Sequence, residues 1–284
     1  MTKAPLFIIA AAFAACTPAD TTTTTTTTQQ VAAAEAHRVD INGMKMYYEV
    51  SGAGEPIVVL HGAYMNIPQM GEIIPRLAKT HKVYALELQG HGRTTDIDRP
   101  LTYQNMADDV AAFMDSVGLT KADVFGYSMG AVAGLQMAIR HPDRVNKLVA
   151  ASVAYDVRGW QPEFQAFIPQ MTVEFMRTLP MEAEYKKLAA DTNGFPEHAR
   201  KLIQLEKEPM AWEQDVKKVK TPVLIITADA DVATLEHSVA LFRLLGGGAM
   251  GDMGKPLAAS PRPAALQSRA PEKAQLPYPK RAYP

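Results

Sequence analysis

Ser128 carries the strongest chemical signal in this chain, because one glycine stands two positions before it and another two positions after it. The segment from Gly126 to Gly130 reads G-Y-S-M-G, and it lies between a strand-like run, Ala122 to Tyr127, and a helix-like run, Ala131 to Arg140. A tight turn from a strand into a helix raises the serine hydroxyl at the edge of a sheet, and the glycines leave room for the neighbouring backbone. The pattern predicts a nucleophilic serine in a G-x-S-x-G elbow.

Two other polar segments also follow predicted strands. His61-Gly62-Ala63 comes directly after the continuous apolar run Ile57 to Leu60, which is typical of a strand buried on both faces. Asp231 comes shortly after the strand predicted over Pro222 to Thr227. In open α/β sheets, ligands bind beyond the carboxyl ends of the strands. We therefore expect both segments to lie at the same edge of the sheet as Ser128.

The elements that must position these residues alternate between strands and helices. The pair Asn42-Gly43 separates two alternating runs and predicts a hairpin with a type I′ turn. The other predicted elements are the helix Ile67 to Lys79, the strand Lys82 to Leu88, a helix from Tyr103 to Met114, the strand Lys147 to Val153 and the helix Leu235 to Leu245. This alternation predicts a doubly wound, mostly parallel α/β sheet with right-handed crossovers.

A helical insert interrupts the alternation between two of the strands. Residues 156–215 show helical patterns rich in methionine and aromatic residues, including Trp160, Phe175 and Met210. We interpret this stretch as a helical lid, and residues 37–155 with 216–250 as the core. The apolar stripe is more typical of packing than of substrate contact, although flexible thioether side chains also suit a permissive apolar pocket.

From about Arg38 to Gly248 the chain resembles the α/β-hydrolase family, through its elbow and its His-Gly-x segment. The resemblance implies an oxyanion hole formed by the backbone N–H groups of Ala63 and Met129, and such donors contribute about 3 to 4 kcal/mol each to transition-state stabilisation. It also implies that His61 is structural and hydrogen-bonds locally. The segment Gln89 to Thr94 matches a family loop to which we assign a structural role.

The same resemblance suggests where the acid of a Ser-His-Asp triad lies. Residues Thr227 to Asp231 are similar to the family's G-x-x-D segment, with Ala228 in place of the glycine, which assigns the acid to Asp231. Its role would be to fix the histidine tautomer and to stabilise the imidazolium. Asp229 fits a turn better, and Asp156, after the preceding strand, is an alternative position for the acid.

The family's histidine has no counterpart where the resemblance implies it, roughly 25 to 30 residues after the acid. No histidine follows His237, and residues 256–284 contain seven prolines, three leucines and no β-branched residue. Such a stretch cannot form a core strand. We therefore expect the last strand and helix to be missing, through a reading-frame change or a truncation, and the adjoining sheet edge to be exposed. His237 fits a surface helix histidine better than a replacement base, and nothing recommends His81, His141 or His198.

Loss of the base has a predictable chemical consequence. A serine without a base remains a weak nucleophile, and the loss costs on the order of 10⁶ in turnover in a serine protease. The first hypothesis is therefore a serine hydrolase for carboxylic esters or lactones that is nearly inactive, although C–C bond hydrolases and cofactor-independent haloperoxidases share its motifs. Serine at the elbow argues against dehalogenases and epoxide hydrolases, which have aspartate there. The second hypothesis is a non-catalytic binding module.

The N-terminal residues predict export and lipid attachment. Lys3 precedes the eleven apolar residues Pro5 to Ala15, and the run ends at Cys16, the only cysteine of the chain. The segment Phe13 to Cys16 resembles a bacterial lipobox, while an ordinary secretory signal is the alternative. We predict a signal peptide over 1–15, lipidation of Cys16 and a threonine-rich linker over 16–36. The lipid on Cys16 would anchor the protein to the cell envelope on the periplasmic side. Residues 251–284 are expected to be a disordered proline-rich tail.

Composition limits the partners. The formal net charge is −1 and 47% of residues are hydrophobic, without a basic stripe, so nucleic acid is a poor candidate. One cysteine allows no disulfide within the chain and no cysteine-based metal site. We expect a small ester or acyl substrate, contact with a membrane through the lipid anchor, and neither cofactor nor metal.

Overall fold

The fold was analysed in a computed structural model, which describes residues 33–247. Within them, seven strands form one sheet in the order β1-β2-β4-β3-β5-β6-β7. The strands are β1 (Glu35–Ile41), β2 (Met44–Ser51), β3 (Glu55–Leu60), β4 (His81–Leu86), β5 (Ala122–Tyr127), β6 (Val145–Ala151) and β7 (Val223–Ile226). The predicted signal peptide, Cys16, almost all of the linker and the tail over 251–284 lie outside the described residues.

Helices follow most of the parallel strands. They are α1 (Ile73–Leu77), α2 (Tyr103–Ser116), α3 (Met129–Arg140), α4 (Pro162–Phe167), α5 (Val173–Arg177), α6 (Met181–Leu188), α7 (Phe195–Glu206), α8 (Glu213–Val216) and α9 (Leu235–Leu244). No helix in the described range is both long and apolar enough to cross a membrane.

The sheet is mostly parallel, with an antiparallel hairpin at one end. Asn42 and Gly43 join β1 to β2 with φ angles of 46° and 89°, as a type I′ turn requires. Strand β2 pairs antiparallel with β4, and the pairs β4–β3, β3–β5, β5–β6 and β6–β7 are all parallel. The predicted doubly wound α/β class is therefore confirmed.

Both faces of the central strands are covered by apolar side chains. In β3, Val58 and Leu60 belong to the core beneath α2 and α3, whereas Ile57 and Val59 pack on the opposite face with Ile67. Successive side chains of a strand point to opposite faces, so a strand between two helical layers must be apolar throughout. This explains the continuous apolar run before His61.

The prediction of a single helix over Ile67 to Lys79 is wrong. The structure has a 3₁₀ turn at Ile67–Met70 and a separate helix α1, Ile73–Leu77. Gly71 lies between them with φ 56°, a left-handed conformation that glycine adopts without steric cost and that ends the first turn. Apolar spacing alone does not reveal such a break.

The helices α4 to α8 lie in the chain between β6 and β7. Most of the large apolar residues that suggested a lid are buried and pack on the main core, including Trp160, Met171, Met176 and Met210. Phe175 is an exception and stays partly exposed. The stripe of methionines and aromatics therefore serves chiefly to pack this segment against the rest of the protein.

The sheet has a poorly covered edge at β7. Within the described residues β7 has one strand neighbour, β6, and its Leu224 and Ile226 are 57% and 45% exposed. The next helix, α9, exposes Leu235 and Phe242 by 61% and 52% but buries Leu241 completely. This edge is apolar and only half covered by the described chain.

Candidate active site

Ser128 sits at the turn between β5 and α3. Its φ and ψ angles are 52° and −120°, a conformation that side-chain-bearing residues rarely adopt. The Ser128 N–H donates to the Ala151 carbonyl of β6 at 2.8 Å, which ties the turn to the neighbouring strand. The residue is partly exposed, and its hydroxyl does not cap α3. A strained, accessible serine at a strand end has the backbone arrangement of a nucleophile elbow.

The two elbow glycines are required by close backbone packing. A Cβ atom on Gly126 would lie 2.5 Å from the Ala131 Cα, and one on Gly130 would lie 2.6 Å from the His61 carbonyl oxygen. Real Cβ atoms do not approach other heavy atoms this closely. Each glycine therefore allows α3 to pack against strands β5 and β3.

These contacts also place the His-Gly-x segment beside the elbow. Leu60 at the end of β3 pairs with Gly126, and a Cβ on Gly62 would lie 3.1 Å from the Tyr127 ring. Met129 is the first residue of α3, where backbone N–H groups have no partner within the helix. Ala63 and Met129 thus belong to adjoining segments, and their role as oxyanion donors stays a prediction.

His61 has no free ring nitrogen. Its Nδ1 lies 2.8 Å from the Gly62 carbonyl oxygen, and its Nε2 accepts the Leu88 N–H at 3.1 Å. A carbonyl oxygen can only accept, so Nδ1 carries the hydrogen and Nε2 is the acceptor. Burial lowers the pKa of His61, and the neutral ring links the ends of β3 and β4.

The loop Gln89 to Thr94 is held by a buried ion pair. The Arg93 Nη2 atom lies 2.6 Å from Oε1 of Glu87, whose side chain is fully buried. The Thr94 hydroxyl donates to the Glu87 carbonyl oxygen at 2.6 Å. These contacts fix the loop after β4, in agreement with its interpretation as a structural loop.

Asp231 lies at the same edge of the sheet as Ser128. The Ser152 backbone N–H donates to the Ile226 carbonyl, as the Ser128 backbone N–H donates to the Ala151 carbonyl. The strands β5, β6 and β7 therefore end side by side at one edge of the sheet. Two strand spacings, roughly 10 Å, separate the ends of β5 and β7. The buried Asp231 carboxylate accepts the N–H groups of Ala228 and Ala233 at 3.4 and 3.3 Å.

Asp156, the alternative acid, already has a cationic partner. Its carboxylate accepts from the Arg158 side chain at 2.8 Å and from the Arg158 backbone N–H at 2.9 Å. The hydrogen bond from the Arg158 side chain is the main cause that lowers the Asp156 pKa. Since this carboxylate stabilises the start of the insert, Asp231 remains the better candidate for the acid.

His237 is not the surface residue that its helical position suggested. Its ring is buried, stacks on Tyr155 with centroids 4.2 Å apart, and accepts the Tyr155 N–H at 3.2 Å through Nε2. The segment after β6 approaches α9 so closely that a Cβ on Gly159 would overlap the His237 ring. Burial is the largest cause that lowers the pKa of His237.

Within residues 33–247, no histidine is hydrogen-bonded to the predicted nucleophile or the predicted acid. All seven histidines lie between residues 33 and 247. Within this range, no histidine nitrogen is hydrogen-bonded to Ser128 or Asp231; His141, for example, pairs with Asp108 at 2.7 Å. Neither side chain therefore has a histidine base hydrogen-bonded to it within residues 33–247. Groups of three or more metal-ligating side chains suited to an ion are also absent from the described part of the chain.

Sequence reasoning missed the packing of two buried histidines, His91 and His198, around the partly buried Tyr64, which follows the His-Gly-x segment. Tyr64 has a left-handed φ of 59°, and His198 of α7, which the sequence gave no reason to notice, packs against both Tyr64 and His91. For His91, the only signal in the sequence was that glycines flank it on both sides within the segment Gln89 to Thr94. The contact with His198 joins positions more than 100 residues apart.

Comparison with known proteins agrees with this geometry. Residues 55–184 match the family model described as alpha/beta hydrolase fold. A pimeloyl-[acyl-carrier protein] methyl ester esterase of Pectobacterium carotovorum is 30% identical over 173 residues, which cover 58% of this chain and 66% of that protein. A soluble epoxide hydrolase of Corynebacterium sp. is 33% identical over 115 residues, 39% of each chain.

A solved structure extends the likeness to the whole fold. The enol-lactonase from Burkholderia xenovorans superposes with a TM-score of 0.57 at 19% identity, covering 73% of this chain and 87% of that one. Several curated relatives align over only 33, 39 and 41% of their own length. The chain therefore has the alpha/beta hydrolase fold.

Proposed function

We propose that this chain is a serine hydrolase for carboxylic esters or lactones in which the base is missing. Ser128 would attack the acyl carbonyl, the N–H groups of Ala63 and Met129 would bind the oxyanion, and water would release the acid. The observation that carries the proposal is the strained Ser128 backbone at the end of β5, beside the His61 segment. The proposal requires neither metal nor cofactor.

The absence of a base explains why we expect little turnover. Within residues 33–247, the proposed acid Asp231 hydrogen-bonds only to backbone N–H groups of its own loop. His237 is the histidine nearest to it in sequence, and its Nε2 already accepts from Tyr155. A serine hydroxyl without a base loses on the order of 10⁶ in turnover, while oxyanion donors and binding retain roughly 10³ over water.

The ester class of substrate is supported by the relatives and by the nucleophile. The Pectobacterium relative is named as a methyl ester esterase, and the Burkholderia structure as an enol-lactonase. The epoxide hydrolase relative supports a different reaction, but by family resemblance that chemistry uses an aspartate where this chain has Ser128. We therefore favour acyl transfer to water.

Fluorophosphonate labelling of Ser128 tests the proposal directly. We expect slow labelling of the purified protein, none in Ser128→Ala, and at least a tenfold acceleration when imidazole supplies the missing base. Rapid labelling without imidazole would show that a base is present and would contradict the inactivity. Labelling that imidazole leaves unchanged would contradict the assignment of Ser128 as a nucleophile. A panel of p-nitrophenyl esters then defines the acyl preference.

The second candidate is a non-catalytic binding module, and the missing base specifically favours it. Such a protein would keep a folded substrate site without turnover. The two candidates differ in the imidazole experiment, because a binding module has no reason to keep Ser128 reactive. The intact elbow glycines favour the hydrolase.

We also propose that the protein is attached to the cell envelope through lipid on Cys16. The apolar run before this single cysteine supports the proposal. Expression in bacteria with radiolabelled palmitate is expected to label the wild type but not Cys16→Ser, and the variant should leave the membrane fraction. Equal labelling of both proteins would refute lipidation at this site.

A further inference from the structure

The two edge strands of the sheet differ in the side chains that they expose. Strand β1 exposes Glu35, Arg38 and Asp40, so charge protects that edge. Strand β7 exposes Leu224 and Ile226 instead, and within the described residues only β6 pairs with it. Charged side chains on an edge strand oppose pairing with another strand, whereas apolar ones leave the edge open to it. The β7 edge is therefore suited to a further strand.

The backbone of β7 has hydrogen-bonding groups available for that strand. The carbonyl oxygens of Pro222 and Ile226 accept N–H groups of β6. Alternate residues of a strand turn their N–H and C=O groups to the same side, so Val223 and Ile225 turn theirs away from β6. No other backbone segment in the range 33–247 pairs with these two residues. An added strand would bind their four backbone groups.

A groove beside the start of β7 extends the apolar surface. Pro222 and Val223 line it together with Phe242 of α9. The Phe242 side chain is 52% exposed. The described part of the chain thus leaves both the strand edge and the adjoining groove without cover.

Residues 248–284 of the same chain are a poor candidate for the added strand. They contain seven prolines and no β-branched residue. Proline has no N–H group to donate to a neighbouring strand, and strands favour β-branched residues. Strand β7 itself reads Val-Leu-Ile-Ile, which is typical of a strand. A second copy of β7 therefore has the better sequence for pairing with this edge.

Charge around β7 favours a second copy in the antiparallel direction. Lys220 precedes the strand and Asp229 follows it; both side chains are exposed, and neither forms an ion pair with another described residue. Antiparallel pairing places the start of each β7 beside the end of the other, so Lys220 of one copy lies near Asp229 of the other. Parallel pairing would bring like charges together, which is destabilising.

We propose that a second copy of this chain covers the edge, by antiparallel pairing of β7 with β7 about a two-fold axis. Val223 of each copy exchanges backbone hydrogen bonds with Ile225 of the other, which brings the two Leu224 side chains face to face across the axis. This register uses the free backbone groups of both strands within β7 itself. The contact is the same on both copies and closes as a dimer. It does not depend on hydrolysis at Ser128.

Disulfide cross-linking of the full chain tests the register. Cys16→Ser removes the only cysteine, and Leu224→Cys or Ile226→Cys then supplies one thiol on the same exposed face of β7. The two Leu224 positions would be directly opposite, with Cα atoms about 4.5 Å apart, which a disulfide can span. The two Ile226 positions would be four residues out of register, roughly 13 Å apart or more.

Oxidation with copper phenanthroline should therefore cross-link most of the Leu224→Cys protein. The matched control Ile226→Cys should cross-link at least about tenfold more slowly, because its thiols cannot meet without movement of the backbone. No cross-linking of Leu224→Cys would overturn the dimer. Equally fast cross-linking of both variants would contradict the register.

Charge reversal tests the antiparallel direction independently. The parent is the full chain with Cys16→Ser in a mild non-ionic detergent, and we expect a dimer in sedimentation velocity. Lys220→Asp or Asp229→Lys alone places like charges at both ends of the contact and should raise the dissociation constant of the dimer by about tenfold. The double variant restores opposite charges and should return this constant to within about threefold of the parent. Failure of the double variant to recover would contradict the direction.

Leu224→Lys tests the centre of the contact. A lysine on an edge strand opposes pairing, so this variant should be monomeric. Leu224 is exposed in the single chain, so the variant should fold as the parent does, which circular dichroism checks. A dimer that Leu224→Lys leaves intact would be held by another surface and would overturn the proposal.

The remaining outcomes also contradict a two-fold contact through β7. A parent that stays monomeric up to its solubility limit would overturn the dimer. If removal of residues 248–284 then produced a dimer, that segment would be the cover of the edge. Oligomers larger than a dimer would show a contact that does not close.

Discussion

The elbow and the β7 edge are built from the same sheet but are packed very differently. Strand β5, before Ser128, has a strand on each side, and most of helix α3 is buried against them. Within the described residues β7 has one neighbouring strand, and α9 keeps Leu235 and Phe242 on its exposed side. The predicted nucleophile therefore lies in a well-packed part of the sheet, and the predicted acid follows a strand that the described residues leave half covered.

The difference shows that the backbone turn at Ser128 is fixed independently of the packing at the β7 edge. Its geometry comes from β3, β5, α3 and the Ala151 carbonyl of β6, all of which precede the insert. The predicted acid, Asp231, belongs to the part of the chain that follows the insert. The contact between His237 and Tyr155 anchors α9 to the insert, so this histidine serves packing. Separate measurements on the two regions can test this difference in packing.

The largest expected effect is at an elbow glycine. Gly130→Ala should lower the free energy of unfolding by about 3 kcal/mol or more, because the new Cβ would overlap the backbone at the end of β3. Gly246→Ala, at the other region, is the matched control: its φ is 89° and a Cβ would meet no atom within 4 Å. It should cost about 1 kcal/mol. Urea denaturation measures the free energy of unfolding of both variants, and equal losses would contradict the difference in packing between the two regions.

Helix α9 offers a matched pair of leucines. Leu241→Ala should lower the free energy of unfolding by about 2 to 4 kcal/mol, because the side chain is fully buried. Leu235→Ala removes an exposed side chain from the same helix and should change it by less than about 0.5 kcal/mol. If Leu235→Ala were as costly as Leu241→Ala, the exposed side of α9 would be covered in solution.

The buried histidines predict that stability falls in acid. The pKa of His198 is lowered to about 3 by burial, so between pH 6.5 and 3 the unfolded chain takes up a proton that the folded chain does not. The contribution of His198 to the free energy of unfolding should therefore fall by about 2 kcal/mol between pH 7 and 5. Glu206, with its pKa raised to about 7, acts in the opposite direction.

Replacement of His198 isolates this contribution. Chemical denaturation at pH 7 and at pH 5 should show a smaller loss of stability for His198→Phe than for the wild type. His61, His91 and His237 also have lowered pKa values, so the variant should keep part of the dependence. An identical pH dependence in both proteins would mean that His198 is not held neutral in the folded state.

The smallest expected effect measures strain at the nucleophile itself. Ser128→Gly should raise the free energy of unfolding by about 1 kcal/mol, because glycine accepts a φ of 52° without steric cost. Ser128→Ala keeps the Cβ and should change stability by less than about 0.5 kcal/mol. A destabilising Ser128→Gly would show that the turn is relaxed and that the elbow owes its shape to something else.

Local patterns predicted the elements that surround the site well. The Asn42-Gly43 turn, the apolar run of β3 and the glycine-flanked Ser128 each have a strong local preference, and all form as expected. The break at Gly71 was missed because the apolar spacing continues across it, from Ile67 to Leu77. His198 and His237 were misjudged for a related reason: their partners, Tyr64 and Tyr155, are separated from them by 134 and 82 residues.

The sequence by itself determined the class of the sheet, the place of Ser128 at a strand end and the lack of a histidine after residue 237, because these depend on residue type, period and order along the chain. Only the tertiary structure decided which buried polar atoms meet around Tyr64, which histidines are already occupied and which apolar side chains remain uncovered. Those properties depend on distances between segments remote in sequence, and periodicity carries no information about such distances.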